Sequence, residues 1–495
     1  MSDIGETRVS RRNALILTWI VCLALAVRVL PISLIHYLAT SDEIFSYYEQ
    51  AHRLVFGSGI VPWEYHEGTR SWFLPIALAG VMYICNLFSD SPHVYFFATH
   101  ALLGMLSLSV VYVAYRYVPP RLSEVGWLSA ALLCALFPFL ALFGALALTE
   151  VVATHFVFIA FIVFRQRWAS RAPLQFVAIG VLLGLAFGVR FQLAPLLLVT
   201  GCYFCGFEIA RWWRVGIGFA ISILVVDVIL DAITWGMPFH SLWASIHANV
   251  AMGVADYFGT SSFLGYFSRL LDYWPAVTPL VLVLLIGAAR QPIFFLGAMV
   301  VLLSHSFIPH KEFRFLYPAL CFAVILLSYG IAEVAFWMAR FPWARLMGAP
   351  NAPALAGVGA AILIPFSIMA KNGDWVKNSG NSLALLAIRD DPHLCGVAIK
   401  EIDWSITGGY VTFHRDVPMY FDTMRRIDHF PSGLPMLTTV MLDGRELGEA
   451  GPYNVVIAGP SFVDPAFKKR KCFAHGGVWG SSETCIFDRL SGCTP

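Results

Sequence analysis

Apolar runs of near-bilayer length recur along this chain from Asn13 to about residue 369, and nothing else constrains its fold as strongly. With 58% hydrophobic and 13% charged residues, it falls well below the quarter or so of charged residues usual in soluble domains. The sequence therefore reads as an integral, all-α polytopic membrane protein. Its formal net charge of +2 and the lack of a dense basic run give no reason to expect nucleic acid as a partner. The first run, Asn13 to Leu34, is too long for a signal-peptide core and lacks a small-residue cleavage site, so it is expected to stay as a transmembrane helix.

Charge asymmetry orients the spans. Arg8, Arg11 and Arg12 precede the first helix and place residues 1–13 in the cytoplasm. Trp72 to Phe88 is short for a crossing. Read as a re-entrant or interfacial helix, it leaves Arg116, Arg121, Arg165, Arg167, Arg171, Arg211, Arg214, Arg290, Arg340 and Arg345 all on the cytoplasmic side. Eleven crossings follow, at about 14–34, 94–115, 125–143, 146–164, 174–190, 191–207, 215–233, 275–289, 292–308, 316–338 and 353–369. Pro138 and Gly144 break one long run into two helices. The domain of residues 14–370 carries two large outer loops, at 35–71 and 235–273.

Beyond about Lys371 the composition turns polar, and the odd number of crossings leaves residues 371–495 outside as a small extracytoplasmic α/β domain. Tyr410-Val411-Thr412-Phe413 and Asn454-Val455-Val456-Ile457 have strand composition. Of ten cysteines, six lie in apolar runs as buried hydrophobes, including the Cys202-x-x-Cys205 pair, which has no further ligand nearby. The other four, Cys395, Cys472, Cys485 and Cys493, sit in the tail; their even number points to disulfides and an oxidising compartment, with the pairing open.

Ionisable residues gather at the outer boundary: Asp42, Glu43, Glu150, Arg190, Asp231 and the run His310-Lys311-Glu312-Phe313-Arg314-Phe315. Charges beside hydrocarbon cost roughly 2.5–3.5 kcal/mol each near the bilayer centre and mark functional sites by default. The plain reading of the last run is a helix connection with snorkelling charges. Its order, together with Asp42-Glu43, Trp63-Glu64-Tyr65 and Arg70-Ser71 in the first outer loop, resembles glycosyltransferase family 22, polytopic mannosyltransferases of the GT-C fold. Pro62 stands where that family usually has Thr, and Ile44-Phe45 where His-Phe is common. Asp231 with Trp235-Gly236, and Asn249, Gly253 and Gly259, match the family's second loop loosely, and Glu150 after Thr149 matches a short Ser/Thr-Glu element. Resemblance extends over about residues 14–345 and excludes the tail.

The resemblance implies that Asp42 is the base that takes the acceptor proton, a role open to a loop carboxylate whose pKa an apolar surface raises. The competing reading is an N-cap for a helix from Glu43 to Phe56. Glu43 either orients acceptor or Asp42, or is a first-turn acid favoured by the helix dipole. Arg314, with its planar fork, and Lys311, as a point charge, suit the donor phosphate, and His310 can donate to it or protonate it. Glu312 is a structural partner for Lys311 or Arg314. Arg190 is either a second phosphate ligand or a snorkelling cap. Trp63, Glu64, Tyr65, Arg70, Glu150 and Asp231 are supporting or acceptor-binding candidates.

These readings converge on an inverting glycosyltransferase. By the family resemblance it would move mannose or a related hexose from a polyprenyl or dolichyl phosphate to a hydroxyl of a glycolipid or glycan; no cofactor and no metal are expected, since no ligand cluster or Asp-x-Asp is present. The membrane is either a bacterial inner membrane with a periplasmic site or the endoplasmic reticulum with a lumenal one. The alternative is a transporter or flippase of lipid-linked sugars, which calls for interrupted helices in matching halves and charges at mid-depth.

Overall fold

The computed structural model describes residues 11–35, 40–166, 172–268, 278–340, 352–372, 378–422, 433–434, 439–448, 451–475 and 483–493. Arg8, Arg167, Arg171 and Arg345, used above for orientation, lie outside the described residues, as do positions 269–273 of the second loop.

The apolar runs form helices because a backbone in hydrocarbon must satisfy its own hydrogen bonds. Among the described residues, four helical stretches are long and apolar enough to cross a membrane: Asn13–Ser33, Pro92–Arg116, Ile209–Trp235 and Phe313–Met338. Shorter apolar helices include Phe73–Asn86, Gly126–Leu136, Pro173–Val189, Phe191–Cys205, Pro292–Ser306 and Ala354–Ser367. Two pairs of helices approach backbone to backbone through glycine. A Cβ at Gly180 would collide with the Val215 carbonyl and one at Gly218 with that of Val177; Gly287 and Gly330 stand in the same relation to Leu326 and Val283. Small residues let dispersion contacts hold helices together where lipid offers no hydrophobic drive.

Phe137 turns to an extended conformation ahead of Pro138 and ends the helix Ser123–Leu136. The carbonyls this break frees are taken up by Arg28, a fully buried residue of the N-terminal helix, which donates to Cys134 O at 2.9 Å and Ala135 O at 2.7 Å. A charge that would be costly in the first span is thus spent on orphaned helix-end carbonyls.

The tail holds a five-stranded mixed sheet in the order β3 (Met419–Phe421), β2 (Val397–Ile399), β6 (Val455–Ala458), β8 (Glu483–Arg489), β7 (Phe467–Ala474), parallel across β3-β2-β6 and antiparallel beyond. Disulfides join Cys395 to Cys493 and Cys472 to Cys485. The tail also returns to the first large loop: β1 (Gly59–Val61) pairs with β4 (Thr439–Leu442), which pairs with β5 (Arg445–Leu447).

Val455–Ala458 is a strand, but Gly409–Phe413 is a short helix despite its β-branched and aromatic content. The cause is tertiary. Glu49, fully buried in the first loop, accepts the amides of Tyr410 and Val411 at 2.8 Å each, and also that of Ile60 at 2.8 Å. A carboxylate at the N-terminal turn answers both the unpaired N–H groups and the helix dipole. Glu49→Ala leaves these three amides buried and unpaired, at about 1–3 kcal/mol each. Protease treatment of sealed membranes should then release the tail faster than from the native chain, and Glu49→Gln, which keeps an acceptor, should fall between. Equal release rates would remove Glu49 from tail docking.

Candidate active site

The first-loop helix begins at Asp42, with Thr40 Oγ1 accepting the Glu43 amide at 3.3 Å. Its first seven residues, Asp42–Tyr48, are π-helical, and Glu49–Phe56 continue as α-helix. The wider turn brings residues five apart into line. Asp42 and Tyr47 therefore share one side, and Glu43 and Tyr48 line a cavity on the other. Ser41 occupies the cap position and Asp42 makes no cap, so its carboxylate is free to face outward.

Two guanidiniums meet on that carboxylate. Arg314 donates to Asp42 Oδ2 at 2.9 Å and Arg70 donates to the same oxygen at 3.0 Å. Arg314 also makes a forked pair with Glu312, at 2.7 and 2.8 Å, and lies 3.6 Å from Glu150. Arg70 reaches Glu64 at 3.4 Å and the Tyr47 hydroxyl at 3.5 Å. Glu150, buried, ion-pairs with Arg190 at 3.6 Å, and Arg190 donates to Thr149 Oγ1 at 3.3 Å with its guanidinium over the Phe315 ring. Residues distant in sequence thus form one network of alternating sign.

The expectation of a raised pKa at Asp42 is overturned. Burial pushes its carboxyl up, but Arg314 and Arg70 outweigh that and hold it below the usual range. Burial likewise pushes Glu312 up, and Arg314 with His310 brings it below the ordinary carboxylate value. His310 sits between two acceptors, the Gly259 carbonyl at 3.0 Å and Glu312 at 3.1 Å, an arrangement that favours the doubly protonated ring. The bond to Glu312 raises its pKa accordingly.

Glu43 is different. It is buried, its Oε1 accepts the Ala147 amide at 3.0 Å, and burial pushes its carboxyl from 4.5 up to about 8. A raised folded-state pKa means that stability is fully present below the unfolded value and is lost as pH rises through the folded one. The melting temperature of the native chain should therefore fall between about pH 4.5 and 8, and more steeply than in Glu43→Gln, where other buried acids such as Glu49 still titrate. A parallel decline in both proteins would assign the pH dependence elsewhere.

Other candidates are placed apart from the network. The Lys311 ammonium donates to the carbonyls of Ile308 at 2.7 Å and Ser261 at 3.2 Å and lies near the Tyr266 ring. Tyr65 bonds the Ser46 carbonyl at 2.8 Å and packs against Trp72 and Trp235, while Trp63 packs with Ala248 and Val254. These aromatics fasten the second loop to the first. Asp231 accepts the amide and hydroxyl of Ser241 at 2.8 and 2.7 Å and shapes the start of the second loop. Gly259, at φ +101°, adopts a conformation open to glycine, which presents its carbonyl to His310.

A cavity opens beside the network, with Arg70 on one wall, Arg190 on another, and Tyr47, Thr149 and Gly188 between them. Asp227 also lines it, with Oδ2 lacking a hydrogen-bond partner among the described residues. Tyr47, bonded to Thr149 of the Thr-Glu element at 3.1 Å, is a site residue that the sequence reading misses. An α-helical period pairs Asp42 with Ser46; only the π-turn brings Tyr47 into place.

The Alg9-like mannosyltransferase family profile matches residues 19–366. A GPI alpha-1,2-mannosyltransferase 3 of Bos taurus is 24% identical over 332 residues, covering 64% of this chain and 60% of that one. Its counterpart in Danio rerio is 25% identical over 324 residues, covering 63% and 59%. The chain thus spans about 60% of the length of these curated relatives. Among solved structures, ArnT from Cupriavidus metallidurans is similar both bound to undecaprenyl phosphate (TM-score 0.53, 10% identity, 97% of this chain and 99% of that) and in the apo state (0.54, 12%, 98% and 100%). At such identities the likeness is one of fold, a membrane-embedded architecture of GT-C type.

Proposed function

We infer that this chain, which belongs to the Alg9-like mannosyltransferase family, is an inverting glycosyltransferase that moves mannose or a related hexose from a polyprenyl or dolichyl phosphate to a hydroxyl of a glycolipid or glycan. One observation carries the reading: a carboxylate held by two guanidiniums, Asp42 between Arg314 and Arg70, beside a cavity whose far wall carries Arg190. The names of the mannosyltransferase relatives and the undecaprenyl phosphate bound by ArnT support the donor class.

In this reading the donor phosphate enters the cavity and takes over guanidinium donors now engaged by Asp42, because a phosphate offers more charge and more acceptor oxygens than one carboxylate. Release from the arginines raises the Asp42 pKa towards a useful base. The acceptor oxygen attacks C1 of the sugar from the face opposite the phosphate, the C1–O bond to phosphate breaks, and the acceptor proton passes to Asp42. Charge growing on the leaving phosphate is met by the preorganised cations Arg70, Arg190 and Arg314. Glu312, Glu150 and His310 hold those cations in place. Lys311 joins the phosphate ligands if it leaves its carbonyls.

The membrane topology belongs to the same proposal: eleven crossings with residues 72–88 interfacial, and the site, both loops and the tail on the extracytoplasmic side. The test is transfer of radiolabel from polyprenyl-phosphate mannose to lipids in membranes carrying the native chain. Labelled product that persists in EDTA is the expected result. Labelled donor that changes leaflet without any transfer would replace this reading with a flippase.

A further inference from the structure

Asp227 is a buried acid that the mechanism above does not use. It is 4% exposed and stands in the π-helical stretch Leu224–Leu230. Among the described residues its carboxylate takes part in no ion pair, and the enclosed Oδ2 has no hydrogen-bond partner. A buried acceptor left unpaired is costly, so one that lines a cavity calls for a donor. The cavity is the one on the Asp42 side of the first-loop helix, lined also by Tyr47 and by Arg70, whose guanidinium holds Asp42. Among the described residues Asp227 is the only acid on its walls. A Cβ at Gly188 would sit 2.9 Å from Asp227 Oδ2, so the glycine leaves room for the carboxyl at the cavity wall. Asp231, four residues on, is different: its Oδ2 takes both donors of Ser241, and it does not line the cavity.

We propose that Asp227 is a specificity-determining residue for the donor, its carboxyl accepting one hydroxyl of the sugar whose phosphate Arg70 and Arg190 hold in the same cavity. The proposal rests on the transferase reading. A sugar phosphate is anionic at one end and carries hydroxyl donors at the other, and the walls offer a partner for each, guanidiniums from Arg70 and Arg190 and a single acid at Asp227. Only a hydroxyl, a group the size of a water, has to reach the Asp227 wall. A carboxyl oxygen accepts its proton whether the acid is charged or neutral. A cation fits less well, because Arg70 and Arg190 repel it and, among the described residues, no three metal-type donors converge here. Sites built to hydrogen-bond a substrate hydroxyl reject analogues that lack it, since the buried acceptor is then left unpaired. Asp227 thus chooses the sugar, and the arginines hold the phosphate common to all such donors.

Binding of undecaprenyl phosphate, of undecaprenyl phosphate mannose and of its singly deoxygenated analogues to the full chain in lipid nanodiscs tests this. The native chain should bind one analogue roughly 10–100-fold more weakly than the mannosyl lipid, the effect of one hydrogen bond to a buried acid. Asp227→Ala should lose that preference and bind the mannosyl lipid and the same analogue within about twofold of each other, as in a double-mutant cycle with one partner on the lipid. Asp227→Asn, which keeps an acceptor oxygen, should retain part of it. Both variants should hold plain undecaprenyl phosphate at least as tightly as the native chain, because it brings no hydroxyl to Asp227 and an acid has left the cavity; this also shows that they are folded. Discrimination that survives in Asp227→Ala, equal binding of all analogues by the native chain, or weaker binding of plain undecaprenyl phosphate by both variants would overturn the assignment and leave the donor reading in place. A native chain that binds neither undecaprenyl phosphate nor its mannosyl form would overturn the donor reading and this assignment with it.

Discussion

Asp42→Asn is expected to reduce sugar transfer by about 10²–10⁴-fold, the range for loss of a general base, while the protein remains folded. Asparagine has nearly the same shape, and its carbonyl oxygen can still accept from Arg314 or Arg70. What it cannot do is take a proton. The same change should tighten the donor phosphate, because the carboxylate now occupying both guanidiniums at 2.9 and 3.0 Å no longer competes with it as an anion. A rate lost while undecaprenyl phosphate affinity rises separates a base from a residue that merely shapes the site. Retention of more than a tenth of native transfer would exclude Asp42 as the base.

Arg314→Ala should damage both activity and stability. Arg314 is 7% exposed and is shared by Asp42, Glu312 and Glu150. Its removal leaves acids facing one another across a gap. Breaking a buried ion pair costs about 3–5 kcal/mol, and water reaching the partly exposed Glu312 brings the expected loss to about 3 kcal/mol. Transfer should fall by about 10²–10³-fold, as when one preorganised donor to a developing charge is removed. Arg314→Lys restores charge but not the fork that grips Glu312 and Asp42 together, so melting temperature should recover much more than rate. Thermal melting in nanodiscs with the radiolabel assay on matched amounts of protein checks both. Transfer by Arg314→Ala within a few-fold of native would place the phosphate elsewhere.

Much of this architecture is legible in composition and periodicity. Apolar run length predicts the helices at Arg11–Ile35, Pro92–Arg116 and Tyr317–Met338, and proline predicts the break before Pro138. Charge clustering singles out Asp42 and His310 to Arg314 as candidates. The contact between Asp42 and Arg314, across 272 residues, is not written in either segment. Nor is the protonation of Asp42, for which local reading points upward and two arginines from other segments decide downward.

What the sequence determined by itself is the membrane class, the helical elements and the residue types from which a site can be built, because these follow from hydrocarbon solvation and local backbone preference. Tertiary structure alone decided the rest. It turned Tyr410–Phe413 into a helix through the Glu49 carboxylate, put Tyr47 beside Asp42 through a π-turn, and sent Lys311 to backbone carbonyls. Each outcome depends on a partner distant along the chain or on a turn wider than the α-helical period, and buried polar groups follow whichever partner packing supplies.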